Sequence, residues 1–187
     1  GDLIRETCAM AGRLLRDKGV HELAQAARLL EAEQVPVRIA LLGFLEVANR
    51  SAVARADIEA WQAEGLLDYL GSVDDVRPQI AAAHAVVLPS YREGVPRTLL
   101  EAAAMGRPLI ATDVIGCRDI VEDGVNGLRV RVRDAEHLAA QIRRFVELGG
   151  EVRASMGAAS RAKVEREFDE RIVVDTYQRL LQGIAGS

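Results

Sequence analysis

Short apolar runs alternate with longer segments of helical periodicity along almost the whole 187-residue chain. Runs that are this short and apolar throughout are typical of strands in a parallel sheet that helices cover on both faces. Because crossovers between parallel strands are right-handed, the alternation predicts a doubly wound, Rossmann-like α/β domain with a parallel sheet of about six strands. The predicted strands are residues 7–10, 37–42, 66–70, 85–88, 109–112 and 127–132. The predicted helices are residues 19–33, 52–64, 76–83, a segment that begins at Pro96, and residues 135–147, 151–166 and 170–182.

The composition of the chain disfavours several classes of partner and location. The formal net charge is -4 and no run of Lys or Arg is present, so we expect no nucleic-acid partner. Cys8 and Cys117 have neither zinc-site nor CxxC spacing, which favours reduced thiols and a cytoplasmic location. No apolar stretch reaches the roughly 20 residues that span a bilayer, and no signal peptide is recognisable. Because Gly1 is not an initiator methionine, we expect the chain to be an excised fragment or to have lost its start.

The carboxyl ends of the strands are the expected ligand site, because doubly wound sheets bind ligands in the crevice outside these ends. Gly12, Gly43 and Gly71 follow the first three predicted strands. Loops that start at Pro89 and Asp113 follow the next two. All of these loops should lie on one edge of the sheet, and we expect the functional residues there.

The loop after the first strand carries two cations, Arg13 and Lys18, before the first long helix. An arginine can fork onto paired phosphate oxygens and a lysine can add a point charge, so the two side chains suit a diphosphate. Neither the GxGxxG nor the GxxxxGKS/T pattern is present, which excludes the dinucleotide-binding and P-loop fingerprints. The alternative is that both side chains are ordinary solvated charges.

The segment from Ser90 to Pro108, "SYREGVPRTLLEAAAMGRP", begins as a loop and continues as a helix. Gly94 allows a tight turn or a close approach to a ligand, and Pro96 suits the first position of a helix. We expect the free N–H groups at the start of this helix to form an anion site that the helix dipole reinforces. Those groups belong to Arg97, Thr98 and Leu99.

Two acids flank this helix start, Glu93 in the loop and Glu101 on the helix. An ionised carboxylate only accepts hydrogen bonds, so each acid can hold the hydroxyl groups of a sugar on one side of a bound phosphate. The alternative is a solvated loop glutamate beside a helix with a favourable acid near its start. Taken alone, the two acids fit both interpretations.

Together these residues resemble the family 4 retaining glycosyltransferases, GT-B enzymes whose second domain carries an E-x7-E motif. The motif is here "EGVPRTLLE", from Glu93 to Glu101. The likeness continues through "GRLLRDKG", "LDYLGSVDDV" and "GRPLIATDVIGCRDIVEDGVNGLRV", so that it covers almost the whole chain. The motif and the last of these strings look most like members that use UDP-N-acetylhexosamines on undecaprenyl-linked acceptors in bacterial surface-polysaccharide assembly. The string "LLGFLEVANRS" departs from the family, which more often has Gly-x-Gly-Pro there.

The resemblance implies a role for each candidate residue. Glu93 would hold the transferred sugar and Glu101 the ribose hydroxyls, while Arg13 and Lys18 would bind the diphosphate. With these two cations in place, the resemblance implies a UDP-sugar or GDP-sugar donor, no cofactor and no metal. The remaining donor-binding residues would be Gly94, Val95, Arg97, Thr98 and Leu99 at the helix start, and Gly71, Ser72 and Val73 beside the base.

The resemblance also implies a partner for this domain. Residues 1–166 would form the donor-binding C-terminal lobe of a GT-B glycosyltransferase, and an acceptor-binding N-terminal domain would precede residue 1. Residues 167–187 would form a helix that packs toward that missing domain, or else onto its own domain. The fragment alone would be inactive. The intact enzyme would be cytoplasmic, peripheral to the inner face of the membrane that carries a lipid-linked acceptor.

Two other functions stay open. A GT-B enzyme of different chemistry, such as a sugar-nucleotide epimerase, would share the same motifs. A flavodoxin-like receiver or interaction module would share the doubly wound plan. Such a receiver needs acids at the ends of its first and third strands, and here those ends are Gly12 and Gly71.

Overall fold

One six-stranded sheet organises the computed structural model, which describes residues 5–45, 48–168, 178–179 and 181–183. The strands are β1 (Glu6–Ala11), β2 (Val37–Leu42), β3 (Asp68–Tyr69), β4 (Ala85–Leu88), β5 (Leu109–Thr112) and β6 (Gly127–Val130). They pair in the order β3-β2-β1-β4-β5-β6, and every pairing among them is parallel. The predicted α/β fold with six parallel strands is confirmed.

Helices connect the strands and cover the sheet. They are α1 (Val20–Ala32), α2 (Arg55–Ala63), α3 (Arg77–Ala82), α4 (Arg97–Ala104), α5 (Ile115–Arg118), α6 (Ala135–Glu147) and α7 (Gly150–Glu167). A short 3-10 turn over Arg16–Lys18 precedes α1. In the described ranges, no helix is both long enough and apolar enough to cross a membrane.

The strand order reverses between β1 and β4, near the centre of the sheet. From β1 the chain winds outward to β2 and β3, and it then returns across the sheet to β4, β5 and β6. In the register of β1 and β4, Cys8 lies opposite Ala85 and Ala9 opposite Val86. The loops after these two strands diverge and leave a crevice between them, which is where open α/β sheets bind ligands.

Alternate strand residues supply a hydrophobic layer on each face of the sheet. On one face, Met10 belongs to the same cluster as Leu30 of α1 and Phe145 of α6. On the other face, Val86 belongs to a cluster that includes Val164 of α7 and the buried side of α4. These two layers hold the strands in place, and with them the starting points of the loops.

Some predicted elements differ from the observed ones for local reasons. β3 is only two residues long, shorter than predicted, because only Asp68 and Tyr69 pair with β2, while Leu66 and Leu67 are buried ahead of this edge strand without pairing in the sheet. α2 begins at Arg55, later than predicted, because Ala52 forms an antiparallel bridge with Leu15 in the first loop. The short helix α5 was not predicted, since one turn leaves no periodic pattern in a sequence.

The predicted last helix, residues 170–182, falls largely outside the described residues, so its packing stays a prediction. Phe168, two positions before it, packs against the cluster that α4 and α7 share. The predicted boundary after residue 166 falls within the last turn of α7, which ends at Glu167.

We predict that Gly19→Ala destabilises the fold much more than Gly65→Ala. Both glycines have similar positive φ angles, 81° and 75°, so the two alanine variants carry similar backbone strain. A Cβ at Gly19 would lie 2.0 Å from the carbonyl oxygen of Pro89, whereas a Cβ at Gly65 would meet nothing within 4 Å. Gly19→Ala should lower the free energy of unfolding by about 1–3 kcal/mol more than the control, the usual cost of overpacking. Urea titrations followed by circular dichroism measure the difference, and equal losses would contradict it.

Candidate functional site

A pocket of about 450 Å³ opens at the switch point between β1 and β4. Its walls are the carboxyl ends of these strands, the loops that follow them and the start of α4. The loops predicted to carry the functional residues therefore meet around one cavity. The predicted site residues that line it are Arg13, Lys18, Glu93, Val95, Arg97 and Thr98.

The other predicted residues lie around this pocket without lining it. Glu101 is half-buried on α4, about one turn beyond Arg97, and Gly94 is exposed in the preceding loop. The segment 71–73 follows β3, which is two strands away from β1. A hydrogen bond of 3.0 Å from Gly43 N to the carbonyl oxygen of residue 71 joins this segment to the loop after β2. The residues predicted for a diphosphate and a sugar are thus brought together, while those predicted for a base lie farther along the same edge.

Two donors hold the carboxylate of Glu93, whose side chain is 9% exposed. Lys18 Nζ lies 2.7 Å from Glu93 Oε1, and the Ser90 hydroxyl donates to the same oxygen at 2.7 Å. The nearby positive charge and the two hydrogen bonds offset the desolvation of the carboxylate. Both donors reach Oε1, and among the described residues no hydrogen bond to Oε2 is present, so Oε2 keeps its capacity to accept one.

Tyr91 connects the Glu93 loop with two other parts of the chain, the loop after β1 and the helix α1. Its backbone N–H donates to Asp17 O at 2.8 Å, and its hydroxyl donates to Glu22 on α1. The Arg133 guanidinium lies over the Tyr91 ring, 4.4 Å from the centroid. Burial first, and then the hydrogen bond and charge of Glu22, raise the pKa of Tyr91 to about 12. The phenol therefore stays protonated at neutral pH and keeps donating.

The start of α4 presents two amide donors. Pro96 is the residue before the helix, not its first residue, and its carbonyl oxygen accepts from Leu99 N and Leu100 N at 3.1 and 3.2 Å. The prediction of three free amides is therefore wrong for Leu99, because a tight first turn uses its N–H. Among the described residues, the amides of Arg97 and Thr98 have no acceptor, and the positive end of the helix dipole adds to them.

The wall behind Glu93 comes from the end of β5 and from α5, and no residue of this wall was predicted to belong to the site. A Cβ at Gly116 would lie 2.6 Å from the carbonyl oxygens of Glu93 and Gly94, so α5 packs directly against this loop. Thr112, the last residue of β5, donates its hydroxyl proton to Ser90 O at 2.5 Å. Ser90 and Thr112 are 0% and 2% exposed. Ser90 and Thr112 share one sequence signal that could have identified them, namely a hydroxyl residue near the carboxyl end of an apolar strand.

Cys117 lies on α5 in the same wall and is fully buried. Burial first, and the negative charge of Glu93 second, raise the pKa of its thiol to about 12. Because only the thiolate is a good nucleophile, this cysteine is a neutral, inert part of the wall at physiological pH.

Comparison with known proteins identifies the class that this fold and pocket define. Residues 5–147 match the family described as Glycosyl transferases group 1, and the chain belongs to that family. This match confirms the resemblance to glycosyltransferases that the motifs indicated. It also excludes the alternative of a flavodoxin-like receiver module.

Individual relatives agree with this family. WcaL of Salmonella typhimurium, which carries the name of a colanic acid biosynthesis glycosyltransferase, is 31% identical over 180 residues. The match covers 92% of this chain and 44% of WcaL. The N,N'-diacetylbacillosaminyl-diphospho-undecaprenol alpha-1,3-N-acetylgalactosaminyltransferase of Campylobacter jejuni is 28% identical over 171 residues, which cover 91% of this chain and 43% of the relative. The chain therefore spans less than half the length of these two relatives.

The solved structure of HepE from Anabaena, in complex with UDP and glucose, has the same fold. Its TM-score is 0.76 at 25% sequence identity, and the match covers 98% of this chain and 49% of HepE. The predicted GT-B type of α/β fold is confirmed.

Proposed function

We propose that this chain is the donor-binding half of a retaining glycosyltransferase that uses a UDP-sugar. The observation that carries the proposal is that Arg13, Lys18, Glu93 and the start of α4 all line one pocket. The carboxylate of Glu93 is there ion-paired with Lys18. Cations and helix amides suit the diphosphate of such a donor, and a carboxylate suits the hydroxyl groups of its sugar. Membership of the family and the UDP and glucose bound by HepE support this class of donor.

The proposed pocket acts by placing the reactants and by stabilising charge. When the bond between the sugar and the diphosphate breaks, the departing nucleotide gains negative charge. Arg13, Lys18 and the amides of Arg97 and Thr98 would neutralise that charge, and Glu93 Oε2 would hold the sugar in place. The departing phosphate would help to direct the incoming hydroxyl to the same face of the sugar, so that its configuration is retained.

A UDP-N-acetylhexosamine is the proposed donor, and a lipid-linked or saccharide molecule in bacterial surface-polysaccharide synthesis is the proposed acceptor. The motif "SYREGVPRTLLEA" favours this group of family members. The name of the Campylobacter relative supports the same choice, because it describes an N-acetylgalactosaminyltransferase that acts on a diphospho-undecaprenol-linked sugar.

An acceptor-binding N-terminal domain is the proposed partner of the sheet edge that holds the pocket. Phe44, Val95 and Ile115 expose 57, 73 and 77% of their surface. All three follow the carboxyl ends of strands, at this same edge. Apolar side chains gathered on one face mark a surface that suits burial by another domain. In this proposal residues 167–187 reach toward that domain, and the intact enzyme is cytoplasmic, at the inner face of the membrane.

We predict that the protein binds UDP through Arg13 and Lys18. The double variant Arg13→Ala, Lys18→Ala removes two charged donors, so UDP affinity should fall at least about tenfold. The control Arg28→Ala, Arg38→Ala removes the same charge from exposed ion pairs that do not line the pocket, and should leave the affinity unchanged. Isothermal titration calorimetry measures both. No binding of UDP or GDP by the unaltered protein, or equal losses in the two variants, would sink the proposal.

We also propose that transfer needs no metal ion, because side-chain cations and a helix start can neutralise the diphosphate. Within the described residues, no three His, Cys, Asp or Glu side chains are grouped to hold a metal. Transfer by the intact enzyme should survive excess EDTA, whereas Arg13→Ala, Lys18→Ala should abolish most of it. Activity that is lost in EDTA and restored by magnesium or manganese would overturn this assignment.

The two glutamates should affect different parts of the donor. Glu101→Gln replaces a charged acceptor for the ribose, so it should weaken the binding of UDP and of UDP-sugars alike by roughly 1–3 kcal/mol. Glu93→Gln releases Lys18 from its ion pair, so UDP binding should not weaken, while the affinity that the sugar adds should fall. Calorimetry with UDP and a panel of UDP-sugars separates the two effects. Equal weakening of UDP by both variants would show that these roles are wrong.

A further inference from the structure

We propose that Ser90 and Thr112 are positioning residues that set the orientation of the Glu93 carboxylate. The inference rests on the proposed function, since it takes the transferred sugar to be the ligand of Glu93. The Ser90 hydroxyl donates to Glu93 Oε1 at 2.7 Å, and the Ser90 carbonyl oxygen accepts from Thr112 Oγ1 at 2.5 Å. Two hydrogen bonds, one buried and one partly buried, therefore connect the end of β5 to the carboxylate through Ser90.

Glu93 needs the hydrogen bond from Ser90 because its other donor, Lys18, has a second role in the proposed function. Lys18 is a flexible point charge, and in the proposed function it also contacts the diphosphate. When the ammonium group turns toward a phosphate, the Ser90 hydroxyl still holds Oε1. Oε2 then keeps its direction toward the sugar, which is what a site residue requires from the groups around it.

In each of these two hydrogen bonds only the hydroxyl group can donate, because a carboxylate and a carbonyl oxygen only accept. A hydroxyl group has one proton, and Ser90 gives its proton to Glu93 while Thr112 gives its proton to Ser90. The peptide of Ser90 is thus fixed by the strand end behind it. In the same wall, Gly116 allows α5 to pack against the carbonyl oxygen of Glu93 itself. Thr112 and Gly116 thus add supports for this loop that are separate from its contacts with Lys18 and Asp17.

A purely structural role is the competing explanation, and the chain offers a matched control for it. Ser160 on α7 is also 0% exposed, and its hydroxyl donates to the carbonyl oxygen of Asn126 at 3.1 Å. Ser160→Ala therefore removes a buried hydroxyl that does not line the pocket. If buried serine hydroxyls only satisfy polar groups, Ser90→Ala and Ser160→Ala should behave alike.

The test is the ratio of the affinities for UDP-sugar and for UDP, measured by calorimetry with UDP, UDP-N-acetylglucosamine and UDP-N-acetylgalactosamine. Ser90→Ala should lower this ratio by about fivefold to tenfold, the effect of one hydrogen bond, and should leave UDP affinity within about twofold. Thr112→Val should also lower this ratio. Thr112→Ser keeps the hydroxyl group, so it should leave the ratio at the value of the unaltered protein. Ser160→Ala should lower the melting temperature but keep the ratio.

A double variant separates positioning from general destabilisation. If Ser90 acts through Glu93, Ser90→Ala should have no further effect on the ratio in a Glu93→Gln background. An additive effect there, or an unchanged ratio in Ser90→Ala alone, would overturn the positioning role while leaving the proposed function standing. Unaltered protein that binds no UDP would instead overturn the proposed function, and a sugar that adds no affinity to UDP would overturn the assignment of Glu93 and this inference with it.

Discussion

The ion pair between Lys18 and Glu93 joins the two loops at the switch point of the sheet, and the shape of the pocket depends on it. Lys18 ends the short turn after β1, and Glu93 lies in the loop after β4, 75 positions later. A carboxylate that is only 9% exposed needs a partner, because the loss of either charge would leave the other poorly solvated in the pocket wall. The contact of Gly19 with Pro89 and the bonds of Tyr91 hold the same two loops together. Contacts within the protein therefore bring the Lys18 ammonium group and the Glu93 carboxylate together.

The same ion pair connects the two halves of the proposed donor. In the proposed function Lys18 binds the diphosphate and Glu93 binds the sugar, so a bound donor would redistribute a contact that already exists. A nucleotide alone and a nucleotide-sugar would therefore have different effects on the ion pair between Lys18 and Glu93. Such a difference suits a site that, in the proposed function, binds a donor and then releases the nucleotide product. The hydroxyl of Ser90 gives Glu93 a support that does not depend on where Lys18 points.

The fold could be predicted in most of its elements because each long element carries its own pattern. The helix α6 and the strands β4 and β5 have the predicted bounds, since a helical stripe or an apolar run in these segments ends at clear breaks. The edge strand β3 and the one-turn helix α5 were missed or misjudged. Both are too short for periodicity, and what defines them is contact with distant parts of the chain.

For the site, the residue pattern was enough to place Arg13, Lys18 and Glu93 at one edge, because the carboxyl ends of parallel strands always share an edge. Only the tertiary structure decided that Lys18 pairs with Glu93, that Ser90 holds the same carboxylate oxygen, and that the Leu99 amide is used within its own helix. The first two contacts depend on how loops from different strands pack. The third depends on how tightly the first turn of α4 closes on Pro96. No local spacing in a sequence encodes such choices, because they are set by the free energy of the packed loops as a whole.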